Sequence, residues 1–241
     1  MTWWETWFGE EYLELYPHRD IASARREVSF ALCHLDRDPR PLLDLCCGSG
    51  RHSLPFAELG FPPIGLDYSA PLLELARNRG LALRLVRGDM RSLPFADGSF
   101  RSVVNFFTSF GYFLQETDNV EVVNEIHRVL TTGGRFLCDT FSLNHVRARL
   151  VEQESRSSGD REYRIRRRWN RRTRRLEKQI EVRRGGSTAT FRESVRGYRA
   201  DELYEMFRGA GFVVESAWGD FDGTSVTTDS PRLIVLARKP A

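Results

Sequence analysis

The stretch Leu42-Leu43-Asp44-Leu45-Cys46-Cys47-Gly48-Ser49-Gly50, with Asp67 and Asp89 ending two later apolar runs, holds the residues best suited to chemistry. Leu42, Leu43 and Leu45 suit a strand buried on both faces. Gly48 and Gly50 permit a tight turn with no Cβ between backbone and ligand. Arg51 to Leu59 reads as a helix whose first amides carry roughly half a positive charge, which favours an anionic ligand group at the turn. Asp67 follows Pro63-Ile64-Gly65-Leu66, at the sheet edge where a carboxylate accepts hydrogen bonds from a ribose diol. Asp89 follows Leu83-Arg84-Leu85-Val86-Arg87-Gly88 and suits the exocyclic amine of an adenine. Two carboxylates at successive strand ends fit an adenosine. A nicotinamide dinucleotide requires Gly-x-Gly-x-x-Gly so that its pyrophosphate rests on the helix. Gly48-Ser49-Gly50-Arg51-His52-Ser53 lacks the third glycine, and nothing after it resembles a hydride-accepting substrate site.

Strands alternating with helices place these carboxylates on a parallel sheet covered on both sides. The periodicity predicts helices over 10–16, 19–35, 51–59, 69–79, 118–130 and 200–210. It predicts strands over 42–46, 63–66, 82–87, 101–106, 134–140, 212–218 and 232–238, without internal repeats. Asp201 or its predecessor is expected to cap the helix that stops at Gly209-Ala210-Gly211. Residues 160–198 break the alternation: Tyr163, Ile165 and Trp169 alternate with arginines, Asn170 to Arg175 forms a turn, and Leu176, Ile180 and Val182 resume a strand. A β-hairpin joined by a third strand over Thr190 to Tyr198 is the expectation.

These residues resemble the class I S-adenosylmethionine-dependent methyltransferases, of the small-molecule, methyltransferase type 11/25-like kind. The family's first motif reads Asp or Glu-x-Gly-x-Gly-x-Gly; Asp44 to Gly50 match it with Cys46 in place of the first glycine, and Asp-x-Cys-Cys-Gly-Ser/Thr-Gly-Arg-His is a variant within the family. The resemblance continues through Gly65-Leu66-Asp67-Tyr68-Ser69, Gly88-Asp89-Met90, Leu93-Pro94-Phe95-Ala96-Asp97-Gly98-Ser99-Phe100 and the segment Glu125 to Phe136, covering residues 40 to 140 in order. It implies a single α/β domain over 1–241 with a Rossmann-like seven-stranded sheet, order 3-2-1-4-5-7-6, whose last strand is antiparallel. It also implies an N-terminal helical lid over 1–35 and a small antiparallel β insertion over 160–198, between the fifth strand and its following helix, capping the acceptor pocket.

The resemblance further implies S-adenosyl-L-methionine as cofactor and S-adenosyl-L-homocysteine as product. Asp44, Cys46, Gly48, Ser49, Gly50 and Arg51 would hold the donor at the first motif, and Asp67, Tyr68, Ser69 and Leu72 at the second. Gly88, Asp89 and Met90, then Asn105 and Phe106, complete its site. Enzymes acting on nucleobase or glutamine nitrogens often place Asn/Asp-Pro-Pro-Tyr/Phe after the fourth strand; Asn105-Phe106-Phe107-Thr108 has neither proline, which disfavours that substrate class. Phe107, Phe110 and Tyr112 are candidate acceptor contacts, with core packing the competing role. An aromatic face beside the sulfonium contributes on the order of 0.5 to 2 kcal/mol.

Tyr12 and Tyr16 stand one helical turn apart in an aromatic N-terminus that either folds over the donor, staples a helix to the domain or makes a dimer contact. Arg196, Tyr198, Asp220 and Arg232 are candidates for the acceptor side, an Arg196–Asp220 ion pair being the alternative. Arg51 either meets the donor's carboxylate or an acidic acceptor, or faces solvent. His52 is a base or, more in keeping with a first-turn histidine, a packing residue, and no catalytic base is assigned.

Composition agrees with a cytoplasmic enzyme: 241 residues, 41% apolar, no apolar run long enough for a membrane, and no basic leader or apolar signal core after Met1. Cys33, Cys46, Cys47 and Cys138 lack zinc spacing and read as reduced thiols, Cys46 and Cys47 pointing to opposite faces of a strand; no metal is expected. Eleven arginines lie between Arg161 and Arg184, so a nucleic-acid surface enters consideration. Arginine outnumbers lysine 34 to 2 throughout, however, and the net charge is only +3, so a solvated outer face of the hairpin is the favoured explanation. The expected function is methyl transfer to the N, O or C nucleophile of a small molecule. An RNA or protein methyltransferase using the basic hairpin, and a non-catalytic cofactor-binding protein, are the alternatives.

Overall fold

The computed structural model describes residues 2–16, 20–36, 38, 40–61, 63–79 and 84–240. Helices α1 (Trp3–Trp7), α2 (Glu10–Leu15) and α3 (Ile21–Leu32) precede an alternation of β1 (Leu42–Leu45), α4 (Ser53–Glu58), β2 (Pro63–Asp67), α5 (Ala70–Arg77) and β3 (Arg84–Arg87). The alternation continues through β4 (Phe100–Asn105), α6 (Glu116–Val129) and β5 (Leu130–Phe141). After α7 (Leu143–Ala148), strands β6 (Gln153–Ser158), β7 (Arg161–Asn170), β8 (Arg175–Arg184) and β9 (Ser187–Arg196) follow. The chain returns through α8 (Ala200–Gly209) to β10 (Val213–Trp218) and β11 (Arg232–Arg238).

The main sheet runs β10-β11-β5-β4-β1-β2-β3, and β11 pairs antiparallel with both neighbours while the other six strands share one direction. This is the expected order, and its cause is visible in burial: β1 is buried at all four positions and β11 from Leu233 to Ala237. Such strands need apolar cover on both faces. One face packs on α6 and α8 through Val123, Ile126, Leu203 and Phe207, the other on α3 and α4 through Val28, Ala31 and Phe56. Among the described residues no helix is long and apolar enough to cross a membrane.

Strands β6 to β9 form a separate antiparallel sheet of four strands rather than the expected three. Gln153–Ser158 is polar and mostly exposed, an edge strand that offers no apolar alternation to read. The sheet's inner face, through Tyr163, Ile165, Ile180 and Val182, makes a core of its own with Trp7, Leu15 and Tyr16. Outward, Arg164 faces Glu181 and Arg168 faces Glu177, so acids answer the arginines across the strands. Arg161 and Arg175 turn inward and are buried, Arg161 against Glu14.

Several local expectations change. Strand β1 ends at Leu45, so Cys46 and Cys47 lie in the turn and not on a strand; Cys46 has φ +63°. The following helix starts only at Ser53 and has six residues, so Arg51 and His52 belong to the turn and no long helix dipole points at it. Helix α8 is capped at Arg199, whose N–H donates to Glu202 at 3.0 Å, with Asp201 inside the first turn. The short α1 and α7 were not expected. Arg19, at the start of one expected helix, and residues 82–83 of the third expected strand lie outside the described residues.

Candidate functional site

The ends of β1, β2 and β4 and the N-terminal segment surround a cavity of about 670 Å³. The turn at its floor holds Cys46, Gly48 and Gly50 at φ +63°, +54° and +76°. A left-handed conformation costs a non-glycine residue about 1–2 kcal/mol, and Cys46 bears that cost at the position where the first motif otherwise has glycine. Gly65 lets the turn approach β2: a Cβ there would stand 2.7 Å from Cys47 Sγ and 2.9 Å from Leu85 Cδ2.

Asp67 accepts the N–H of Gly48 and that of Ser69, each at 2.8 Å, so one carboxylate ties the turn to the start of α5. Ser69 Oγ caps α5 through the Leu72 N–H at 3.2 Å and donates to the Phe8 carbonyl at 2.7 Å, which tethers the N-terminal segment to the cavity rim. Asp89 carries a bidentate Arg91 at 2.7 and 3.1 Å; burial raises its pKa, but the guanidinium and N–H of Arg91 outweigh burial and hold it below the ordinary value.

After β4 the backbone takes two consecutive left-handed residues, Phe107 at φ +59° and Thr108 at φ +65°. Buried Asp139 holds them, its carboxylate accepting the Phe107 N–H at 2.8 Å and its carbonyl the Thr108 N–H at 2.9 Å. Arg232 anchors that carboxylate at 2.7 Å, and the Phe107 ring sits between Arg51 and Arg232, 5.1 and 5.3 Å from its centroid. His52, stacked on Phe106 at 4.2 Å, meets Glu27 at 2.5 Å. Burial pushes its pKa down and keeps the ring neutral near pH 7. Glu27 also pairs with Arg51 at 3.1 Å.

Burial pushes Asp44 and Asp67 up to about 6. Asp44 is almost wholly enclosed and accepts Ser53 Oγ at 2.6 Å. Its folded-state pKa lies above the unfolded value near 4, so its contribution to stability is complete below pH ~4 and lost as the pH rises through ~6. Comparing wild type with Asp44→Asn by urea unfolding isolates this contribution: the variant gains on wild type by about 3 kcal/mol between pH 4 and pH 7. A difference that stays constant over that range would refute the assignment.

Residues 42–134 match the family described as Methyltransferase domain. A demethylmenaquinone methyltransferase of Thermus thermophilus is 36% identical over 124 residues, 49% of this chain and 53% of that protein, so the match spans about half the length of this curated relative. Two solved structures share the whole fold. The CcbJ methyltransferase from Streptomyces caelestis has a TM-score of 0.79 at 20% identity over 90% of each chain. An amino pentose methyltransferase from Micromonospora echinaspora, solved with its methyl donor bound, has a TM-score of 0.70 at 22% identity over 98% of this chain and 99% of that one. Over residues 42–134 the chain is similar to the methyltransferase-domain family, and its fold is that of these solved methyltransferases.

The residues of this cavity fit S-adenosylmethionine in kind: Asp67 and Asp89 front it as carboxylate acceptors, and Leu66, Met90 and Phe113 add apolar lining. Of the first-motif residues, Cys46, Gly48, Ser49 and Arg51 line the cavity, as do Tyr68, Ser69, Leu72, Gly88, Met90 and Phe106. Asp44 and Asn105 stand behind its wall, Asp44 on Ser53 and Asn105 donating to the Leu45 carbonyl at 2.9 Å, and Gly50 shapes the turn.

On the acceptor side, Tyr12, Tyr16, Phe107 and Tyr112 line the cavity. Phe110 and Tyr198 do not; they pack on each other in the core, centroids 5.6 Å apart. Arg196 pairs with Glu116 at 3.7 Å and Glu202 at 3.6 Å, and Asp220 instead accepts from Thr224 and Asp222 in its own turn; neither residue lines the cavity, and the alternative Arg196–Asp220 pair does not form. Arg232 acts one layer back, through Asp139 and Phe107. Sequence reasoning missed Trp4, Phe8 and Phe113 in the lining and Asp139 behind it. Asp139 carried a readable signal, an acid ending the apolar run Phe136-Leu137-Cys138, the same signal that singled out Asp67.

Proposed function

We propose that this methyltransferase moves the methyl group of S-adenosylmethionine to a nucleophilic N, O or C atom of a small molecule by in-line displacement. The bound cofactor supplies an electrophilic methyl group on a sulfonium. Asp67 would accept the ribose hydroxyls, Asp89 the adenine amine, and the glycine turn would leave room for the amino-acid end. The loop Phe106–Ser109, whose left-handed residues Phe107 and Thr108 are held by Asp139, places Phe106 and Phe107 in the cavity lining, where their rings would exclude water from the bound donor. Tyr12, Tyr16 and Tyr112 close the opposite side, the N-terminal segment serving as a lid and the β6–β9 sheet as its support. Alignment of this kind supplies up to roughly 7–11 kcal/mol of a bimolecular barrier.

The observation that carries this reading is the Asp67 carboxylate bridging the Gly48 and Ser69 N–H groups at the cavity wall. A dinucleotide-binding turn has no such need, since its glycines approach a pyrophosphate. Small-molecule acceptors are favoured over RNA because Glu181 and Glu177 face Arg164 and Arg168 on the outer sheet surface and interrupt its positive charge. Calorimetric titration tests the donor: saturable binding of S-adenosylmethionine and S-adenosylhomocysteine, and none of NAD, is expected. Binding of NAD alone, or of neither methyl compound, refutes the reading.

A further inference from the structure

A second cavity of about 180 Å³ adjoins the first and shares Phe8, Tyr12, Phe107 and Tyr112 with it. Its other walls come from Trp3, from Phe141 and from the inner face of β8 and β9, where Lys178 and Glu193 meet. These two form an ion pair at 2.6 Å with side chains 16% and 10% exposed. Glu193 also accepts Trp7 Nε1 at 2.7 Å and the Tyr16 hydroxyl at 3.1 Å, and Lys178 donates to the Tyr16 oxygen at 3.2 Å.

An ion pair set among aromatic rings costs several kcal/mol of desolvation per ion, and a well-packed apolar pair of similar volume would stabilise the fold as well or better. A charged pair kept on a cavity wall therefore points to recognition rather than stability. Its open valence defines the ligand. The Glu193 oxygens already receive three donors, whereas the ammonium of Lys178 has three N–H groups and two protein acceptors among the described residues. The group that completes this network is an oxygen acceptor. A cationic amine would bring only donors to a carboxylate already engaged, beside Lys178 and near the two guanidiniums that flank Phe107. The walls specify the rest: six aromatic rings, from Trp3, Phe8, Tyr12, Phe107, Tyr112 and Phe141, line a space suited to one or two fused rings.

We propose that this small cavity seats the methyl acceptor, a flat hydroxylated ring whose oxygen is hydrogen-bonded by the Lys178 ammonium opposite the aromatic wall. The assignment rests on the methyl-transfer reading, which places the donor in the larger cavity that meets this one along Phe8, Tyr12, Phe107 and Tyr112. Trp3 in the wall and Trp7 on Glu193 make intrinsic tryptophan fluorescence a direct reporter.

The test titrates catechol, and separately glucosamine, into protein saturated with S-adenosylhomocysteine. Catechol is expected to quench the fluorescence saturably, and glucosamine to leave it unchanged. Lys178→Met is expected to weaken catechol at least tenfold while S-adenosylhomocysteine affinity, read by calorimetry, stays within twofold. Should that variant melt without cooperativity, Lys178→Met/Glu193→Gln, which leaves no unpaired carboxylate, carries the same comparison. Catechol affinity unchanged within twofold in the cooperative variant, or glucosamine binding where catechol does not, overturns the proposal. Absence of S-adenosylhomocysteine binding in the wild type refutes the donor reading instead, and catechol titration of the unloaded protein then still tests the cavity alone.

Discussion

Asp67→Ala weakens S-adenosylmethionine binding about 100-fold with the fold intact. The carboxylate has two tasks at one place. It accepts two backbone N–H groups at 2.8 Å and so sets the distance between the glycine turn and the start of α5. It also stands on the cavity wall, where under the proposed function it would accept a vicinal diol. Hydrogen bonds to an ionised acceptor contribute about 1.5–3 kcal/mol each, so losing the ligand's share alone amounts to roughly a factor of ten to a hundred or more. Freed Gly48 and Ser69 amides add to it, since the turn then relaxes away from the geometry the ligand requires. Burial counters part of the effect on stability: a carboxylate pushed up to about 6 is itself a cost near neutral pH, and alanine removes it. Melting behaviour close to wild type, with calorimetry showing the affinity loss, is therefore expected. A dissociation constant within threefold of wild type would show that the ribose lies elsewhere.

The second large effect falls on stability. Arg175 opens β8 with its guanidinium buried and donates to the Gly111, Tyr112 and Phe113 carbonyls at 3.0, 2.8 and 2.8 Å, and to Ser194 Oγ and carbonyl at 2.8 and 2.7 Å. It clamps the loop after β4 to the small sheet, helped by the Arg196 N–H on the Gly111 carbonyl at 2.8 Å. Gly111 is required at this seam: at φ +91° a Cβ would stand 2.8 Å from the Arg196 carbonyl. Arg175→Ala removes a buried guanidinium donor from the Gly111, Tyr112, Phe113 and Ser194 carbonyls, of which Gly111 keeps the Arg196 N–H and Phe113 the Asn119 amide, and is expected to cost about 3–5 kcal/mol. For a chain of this size that corresponds to a fall of roughly 6–20 °C in Tm, measured by circular dichroism. Arg175→Lys keeps the charge but has no planar fork to reach several carbonyls, so it recovers less than half of the loss. A shift below 3 °C in Arg175→Ala would mean that the loop is held by its own packing.

The parts of the molecule legible in the sequence share a physical character. Strand β1, its glycine turn and the acids at the ends of β2 and β3 announce themselves because apolar runs, glycines and strand-terminal carboxylates are local signals with a local cause. A strand buried on both faces must be apolar throughout, and a left-handed turn excludes most side chains. The helix boundaries drifted by a few residues where the competing signals were weak, as at Arg51 and His52, which extend a helical pattern but belong to the turn. Strand β6 was silent because its partner, not its composition, makes it a strand.

The turn and acids of the proposed donor site were thus legible in sequence: Gly48, Asp67 and Asp89 follow from order and spacing along residues 42–89. The polar contacts that support the proposed acceptor side were decided by tertiary structure. Trp7 meets Glu193 across 186 residues, Arg232 meets Asp139 across 93, and Arg175 reaches Gly111 across 64. Long polar side chains such as these carry no periodic signature. Their conformations are selected only when strands from distant parts of the chain bury them together, where an unpaired charge or carbonyl would cost more than the ordering of the side chain. For the same reason Phe110 and Tyr198, indistinguishable in sequence from Phe107 and Tyr112, went to the core while the latter two line the cavity.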